Sequence, residues 1–344
     1  MTTASSATTN DPASPAVAGP PRFRLTSAQV LCGILVLAVL ARGWLGGLLG
    51  VAALRTGATV FVAICVQAMP FLVFGVLISG AIAAFVPARL LRRVLPHNRL
   101  AAVGVAGLAG VALPGCECAS VPVARRLMRQ GVPVPVALAF LLAAPAVNPV
   151  VLVATAVAFP AAPEMVLARF LASLLTSLLM GWLWSRHGRT EWIVERARTL
   201  LPERPGRPRL VVFAETARAD LADAGGFLVI GALAAATLNV LVPPSWFVTL
   251  GGHAVIGVLV MAALAVVLAS CSEADAFVAA SLSAMPLLPR LVFLVVGPAV
   301  DVKLIALQAG TFGRAFVARF APATFVVAVG SAVLVGLCVL GGYR

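Results

Sequence analysis

The sequence predicts an all-α polytopic membrane protein of about eight transmembrane helices, built as two inverted repeats that each contain a re-entrant or broken-helix hairpin. Three observations lead there. Its 344 residues are 61% hydrophobic and 11% charged, with a mean hydropathy of +1.06, whereas a soluble domain carries about a quarter charged residues. Apolar runs long enough to cross a bilayer alternate with short arginine-rich segments. A polar, proline-containing pattern in the first half returns in the second at a nearly constant offset.

The formal net charge is +13, but the arginines lie mainly between apolar runs. That placement is the positive-inside bias of membrane loops, reinforced by anionic lipid at the cytoplasmic face. The bilayer is therefore the expected partner and nucleic acid is not.

Residues 1–24 form an N-terminal tail rich in Ser, Thr, Ala and Pro, expected to be disordered and too polar for a signal-peptide core. Residues 25–55 carry a first transmembrane helix at 26–45, leading outward from Arg22 and Arg24, and a loop. Repeat 1 is placed at 56–160. It opens with a long span at 57–86 that returns to Arg89, Arg92, Arg93 and Arg99 on the inside. A linking helix at 164–185 and a basic cytoplasmic loop occupy 161–221, repeat 2 occupies 222–310, and a final span at 322–341 lies within 311–344.

The repeat rests on two blocks. Gln67–Pro87 overlays Asp223–Pro243 at an offset of 156, matching Phe71 with Phe227, Gly75 with Gly231 and Pro87 with Pro243. Further on, the offset is 153, and it matches Cys118 with Cys271, Pro145 with Pro298 and Asn148 with Asp301. Both inside segments, 89–99 and 186–220, must be separated by an even number of crossings. A full crossing at 100–122 would place Arg125, Arg126, Arg129 and the basic linker outside. A hairpin over 100–130, turning at Pro114-Gly115, keeps them inside. The second half then runs in the opposite sense, with a span at 223–243, a hairpin at 250–286 entering from outside, and a span at 288–310. Inverted repeats with broken helices near the midplane mark secondary transporters, and irregular backbone at that depth must line protein or a water-filled cavity.

Three constellations carry chemistry. In Leu113-Pro-Gly-Cys-Glu-Cys-Ala-Ser-Val-Pro122, Pro114 and Gly115 break the helix, and an irregular tip allows Cys116 and Cys118 to point into one cavity beside Glu117. Thiolates suit soft, thiophilic ions, so Cys116, Cys118 and Cys271 are candidate ligands for arsenic or a soft metal as transported substrate only. The bland alternative is that these cysteines pack as small hydrophobes, as Cys32, Cys65 and Cys338 are expected to do. In Ser270-Cys-Ser-Glu-Ala-Asp275, Cys271 and Ser272 join the substrate-binding candidates, while Glu273 and Asp275 are proton-coupling or structural polar groups. Acidic side chains at membrane depth cost about 2.5–3.5 kcal/mol each by insertion scales; a solvent-facing loop is the alternative. In Pro145-Ala-Val-Asn-Pro149 and Pro298-Ala-Val-Asp-Val-Lys303, Pro145 and Pro298 are helix breaks, and Asn148 and Asp301 supplement the freed carbonyls. Asn148 is a binding candidate. Asp301 and Lys303 either neutralise each other or titrate in a proton relay, and Gln67 is a further polar candidate. No P-loop and no Ser/His/Asp constellation stands out, so neither ATP hydrolysis within this chain, nor enzymatic catalysis, nor a cofactor is expected.

With those residues in view, Leu113–Pro122 and the run onward to Val150 resemble the signature of the predicted bacterial permease family that includes ArsP-type organoarsenical efflux permeases and YraQ-like proteins. Gly297-Pro-Ala-Val-Asp-Val-Lys303 is similar to that family as well, and the resemblance spans roughly 55–340. It implies a multi-pass permease of the bacterial plasma membrane with about eight helices. For the ArsP branch it implies export of trivalent organoarsenicals, with Cys116 and Cys118 in the family's cysteine segment; Cys271 comes from the internal repeat alone.

Two mechanisms fit the pattern. One is alternating-access export of a small thiophilic solute around the cysteines, with a proton as coupling ion. The other is a thiol–disulfide conveyor passing reducing equivalents between Cys118 and Cys271, which requires Cα atoms about 4.4–6.8 Å apart. A permease for another sulfur compound or metal ion is a third. The sequence sets no oligomeric state.

Overall fold

A computed structural model describes residues 52–86, 96, 98–112, 117–193, 208–241, 254–282 and 285–341. The expected first span at 26–45, the expected tip residues Pro114, Gly115 and Cys116, and the middle of the basic linker (194–207) lie outside them.

All regular structure among the described residues is helical. The first half runs α1 (Ala52–Phe85), α2 (Arg99–Ala109, extended by a 3₁₀ turn at Gly110–Ala112), α3 (Glu117–Arg129), α4 (Val134–Val147), α5 (Pro149–Ala158) and α6 (Glu164–His187). The second half runs α7 (Arg209–Leu241), α8 (Ala254–Leu268), α9 (Ser272–Ser281), α10 (Leu287–Ala299), α11 (Val302–Phe312) and α12 (Arg314–Val339). Each half thus offers a long helix, a pair of short ones, a span broken in two, and a closing long helix.

Length assigns these pieces. At 1.5 Å per residue, the short helices α2, α3, α8 and α9 reach only about 15–23 Å, less than the roughly 30 Å hydrocarbon core. None of them alone crosses it. Among the described residues six segments are long and apolar enough to cross: Leu54–Phe85, Val134–Ala158, Glu164–His187, Arg209–Leu241, Leu287–Phe312 and Arg314–Val339. The chain is a polytopic helical membrane protein. The two broken spans form its centre, since 78% and 83% of their apolar windows are buried, against 28–44% for the other four.

The expected span boundaries hold to within a few residues except in three places. Helix α7 begins at Arg209, not near 223, so the end of the expected basic loop is helical. Tertiary packing is the cause: Gly80 of α1 lets Phe213 approach, and Ser79 Oγ donates a hydrogen bond to Asp220. The last helix begins at Arg314 rather than 322, its first turns holding Phe316 and Phe320 against Trp184 of α6. The spans expected at 133–158 and 288–310 are each interrupted outright, where only a kink was expected.

Local chemistry explains one interruption fully. Asn148 precedes Pro149 and is extended at φ −71°, ψ 154°, the region a residue before proline prefers. Its side chain accepts from the Val151 amide, and Pro149 takes the first helical position, where its missing N–H costs nothing. In the second half Asp301 does the same without a proline, accepting from the Leu304 amide. Pro145 and Pro298 sit inside the preceding half-helices, each three residues before the cap.

Helices α1 and α7 pack along one another, and α1 also supports α3 while α7 supports α11. Helices α6 and α12 pair, backed by α4 and α10 respectively. The halves also touch one another: α3 lies on α11, and α9 lies on α5.

Candidate functional site

The contacts between the halves bring three helix N-termini to one place. Glu117 is the first residue of α3, Ser272 the first of α9, and Lys303 the second of α11. Lys303 Nζ donates to Glu117 Oε1 at 2.6 Å and stands 3.6 Å from Asp301 Oδ2. Ser272 Oγ donates to the other carboxylate oxygen, Glu117 Oε2, at 3.0 Å. The Ser270 carbonyl accepts from Lys303 Nζ at 3.3 Å. One carboxylate therefore joins both hairpin tips to the second helix break.

Such a pair is expensive to build. Desolvating a carboxylate and an ammonium together costs several kcal/mol per ion, recovered only with close geometry and further hydrogen bonds. Both side chains are 1% exposed. Helix N-termini add favourable partial positive charge for Glu117.

Glycines set the approach. A Cβ on Gly231 of α7 would lie 2.9 Å from Lys303 Cα, and one on Gly75 of α1 would lie 2.5 Å from Ala119 Cα. The two glycines matched at an offset of 156 thus each seat a helix start that carries a member of the ion pair.

Cys118 and Cys271 are buried, are free thiols, and both fall within electrostatic range of the Lys303 ammonium. Cys116 is outside the described residues. Glu117, Ser272, Asn148, Asp275, Asp301 and Lys303 are all buried. The polar segments therefore do not line an open wet cavity in this conformation; protein packing closes over them. Gln67 is exposed on α1, away from the cluster. Among the described residues no three His, Cys, Asp or Glu side chains are grouped to hold a metal ion.

Arg169 on α6 is the residue the sequence reading missed. It is fully buried, donating from Nη1 to Thr155 Oγ1 of α5 at 2.7 Å and from Nη2 to the Ser272 carbonyl at 2.8 Å. Asp275 and Glu273 lie within its electrostatic range. The available signal was a lone arginine five residues inside an apolar span. Asp275 accepts from Ser270 Oγ through Oδ1, while its Oδ2 packs on Gly297, where a Cβ would come within 2.7 Å. Asp275 Oδ2 and both Glu273 carboxylate oxygens are buried without a hydrogen-bond partner. Four carboxylates (Glu117, Glu273, Asp275, Asp301) thus meet two cations (Arg169, Lys303).

Replacing Arg169 with glutamine is expected to destabilise the protein by about 1.5–3 kcal/mol, the value of a hydrogen bond to a charged group. Thermal unfolding of the detergent-solubilised protein measures it, and an unchanged midpoint would show that the strap between α5, α6 and α9 contributes nothing.

The chain matches the family model ArsP_1, described as a predicted permease, over residues 53–338. It is 35% identical over 281 residues to the UPF0718 protein YcgR of Bacillus subtilis (strain 168), covering 79% of this chain and 93% of the relative. It is 29% identical over 283 residues to a putative two-component membrane permease complex subunit of Streptococcus mutans serotype c (strain ATCC 700610 / UA159), covering 81% of this chain and 94% of that protein. No solved structure matches. With six segments among the described residues long and apolar enough to cross, two of them broken and buried at the centre, and a family match over most of its length, the chain belongs to the predicted permease family as a multi-pass protein of a bacterial membrane.

Proposed function

We propose that the chain is a secondary transporter exporting a thiophilic solute, most concretely a trivalent organoarsenical, by alternating access around the two hairpin tips. The observation that carries this reading is the Glu117–Lys303–Ser272 junction, with Cys118 and Cys271 buried beside it. It supports a site at which both halves of the molecule meet, and a solute held there would be exposed to opposite sides as the halves rock. A trivalent arsenic centre bearing one organic group takes two thiolates, and Cys118 with Cys116 or Cys271 supplies them. The recurring order of elements in the two halves, and the contacts between them, support an inverted repeat.

The same cluster suits proton coupling. With three buried carboxylates and the half-buried Glu273 against two cations, it carries excess negative charge unless protons or a cationic solute enter. Glu273 and Asp275, with unpartnered oxygens, are the acceptors, and Lys303 paired with Glu117 is the element that must open. The Streptococcus mutans relative is named as a subunit of a two-component complex; a second membrane subunit as partner is in keeping with that name.

Uptake of methylarsenite into everted membrane vesicles tests the thiolate role. Cys116→Ser and Cys118→Ser are each expected to lower uptake at least about tenfold, the equivalent of 1.4 kcal/mol of lost binding. Uptake equal to wild type in both variants removes the thiolate mechanism. Alkylation of the cysteines before and after oxidation separates a carrier, whose thiols stay reduced, from a disulfide conveyor.

A further inference from the structure

A second charged cluster lies away from the hairpin tips, at the C-terminal end of α3. Arg125, Arg126 and Arg129 follow one another within a single helical turn. Arg125 donates to Asp223 of α7 at 3.2 Å and stands 3.8 Å from Asp220, which also accepts from Ser79 of α1. Gln130 ties the same corner to α1 by donating to the Ile82 and Val86 carbonyls at 2.8 and 3.1 Å.

The accounting of charge and donors leaves a gap. Three guanidiniums within electrostatic range of one another face two carboxylates. Arg126 is only 3% exposed, yet its Nη1 has no hydrogen-bond partner, and the same holds for the buried Nε atoms of Arg125 and Arg129. Unpaired donors on a buried cation cost more than those of any neutral group. The helix C-terminus offsets part of the excess positive charge but accepts none of these three hydrogen bonds. A tetrahedral oxyanion does both, because it presents several acceptors to guanidinium forks. The surrounding helices α1, α3 and α7 make the basic, inter-helix corner in which anionic headgroups are held at the arginine-rich face of a membrane protein.

We propose that the α1–α3–α7 corner, with Arg126 at its base and Arg125 and Arg129 beside it, is a binding site for a phosphate-type oxyanion. The site is separate from the transport cluster and does not depend on the nature of the cargo.

The test uses the full chain, delipidated in a neutral detergent, with thermal unfolding followed in the presence of phosphatidylglycerol, net-neutral phosphatidylcholine or inorganic phosphate. At a hundredfold excess over Kd, a bound oxyanion is expected to raise the midpoint by about 5 °C, less so at high salt. The shift should vanish in Arg126→Gln and shrink in Arg129→Gln. Stabilisation by phosphatidylglycerol alone identifies a lipid headgroup, and stabilisation by inorganic phosphate as well identifies a free oxyanion; either result supports the site. Wild-type protein that responds to neither, or equally to phosphatidylcholine, overturns it, as does a full shift in both variants. If Arg126→Gln does not fold, Arg129→Gln at the more open position decides, and the wild-type comparison stands regardless.

Discussion

Lys303→Met is expected to stop transport and to cost about 3–5 kcal/mol of stability, because it leaves Glu117 charged and buried without its partner. The ammonium lies 2.6 Å from Glu117 and 3.6 Å from Asp301, and each of the three side chains is 1% exposed. Water cannot take over that role without opening the packing. The double variant Lys303→Met with Glu117→Gln separates stability from function. Glutamine still accepts from Ser272 and leaves no buried charge, so most of the stability is expected to return. Transport is not expected to return, since the proposed function relies on the ion pair that this variant lacks. Unfolding midpoints of the purified proteins and cargo uptake in everted vesicles read the two effects independently. A double variant as unstable as the single one means the pair is not the source of the loss; wild-type uptake by Lys303→Met means the ion pair is not part of the transport path.

Gly75→Ala is expected to produce the second large effect from a single methyl group. The new Cβ would lie 2.5 Å from Ala119 Cα and 2.8 Å from Ala119 O. Both are backbone atoms, so no rotamer change relieves the overlap and α3 must move as a body. Overpacking of this kind costs about 1–3 kcal/mol. Ala119 immediately follows Glu117 and Cys118, so the displacement carries both away from Lys303 and Ser272. A charge-assisted hydrogen bond does not survive a shift of about an ångström. Uptake is expected to fall at least about tenfold even in the fraction that folds, a loss of 1.4 kcal/mol in the closed state. Gly104→Ala is the control, because a Cβ there meets nothing within 4 Å. If both alanine variants transport like wild type, the seating of α3 on α1 does not position the site.

Much of the fold was legible because its signals are local. A 25-residue apolar run with arginines at its ends spans a bilayer whatever its neighbours are. Pro145 and Pro298 signal a kink in each span, and the full interruptions lie three residues further on, at Asn148 and Asp301. The site was legible as a set of unusual residues, since Glu117, Asp275, Asp301 and Lys303 are costly at membrane depth wherever they pair. Their partners were not. Asp301 and Lys303 looked like a local pair, whereas Lys303 makes its shorter contact to Glu117, 186 positions away in the chain. Arg169 was passed over because five residues from a span end an arginine is ordinary, and only α5 and α9 closing on it make it a buried strap. Gln67 carried the right chemistry on the wrong face: a long helix turns 100° per residue, and which face is covered depends on what packs against it.

The sequence by itself determined that this chain crosses a membrane several times and which side chains are too polar to lie against lipid. Those properties depend on composition within one or two helical turns and on the solvent. The tertiary structure alone decided that α3 lies on α11 and α9 on α5, so that Glu117 answers Lys303 and Ser272 rather than its own neighbours. Pairing between distant charges follows from which backbones can approach, here through Gly75 and Gly231, and that is a property of packed helices in three dimensions, not of any stretch of sequence.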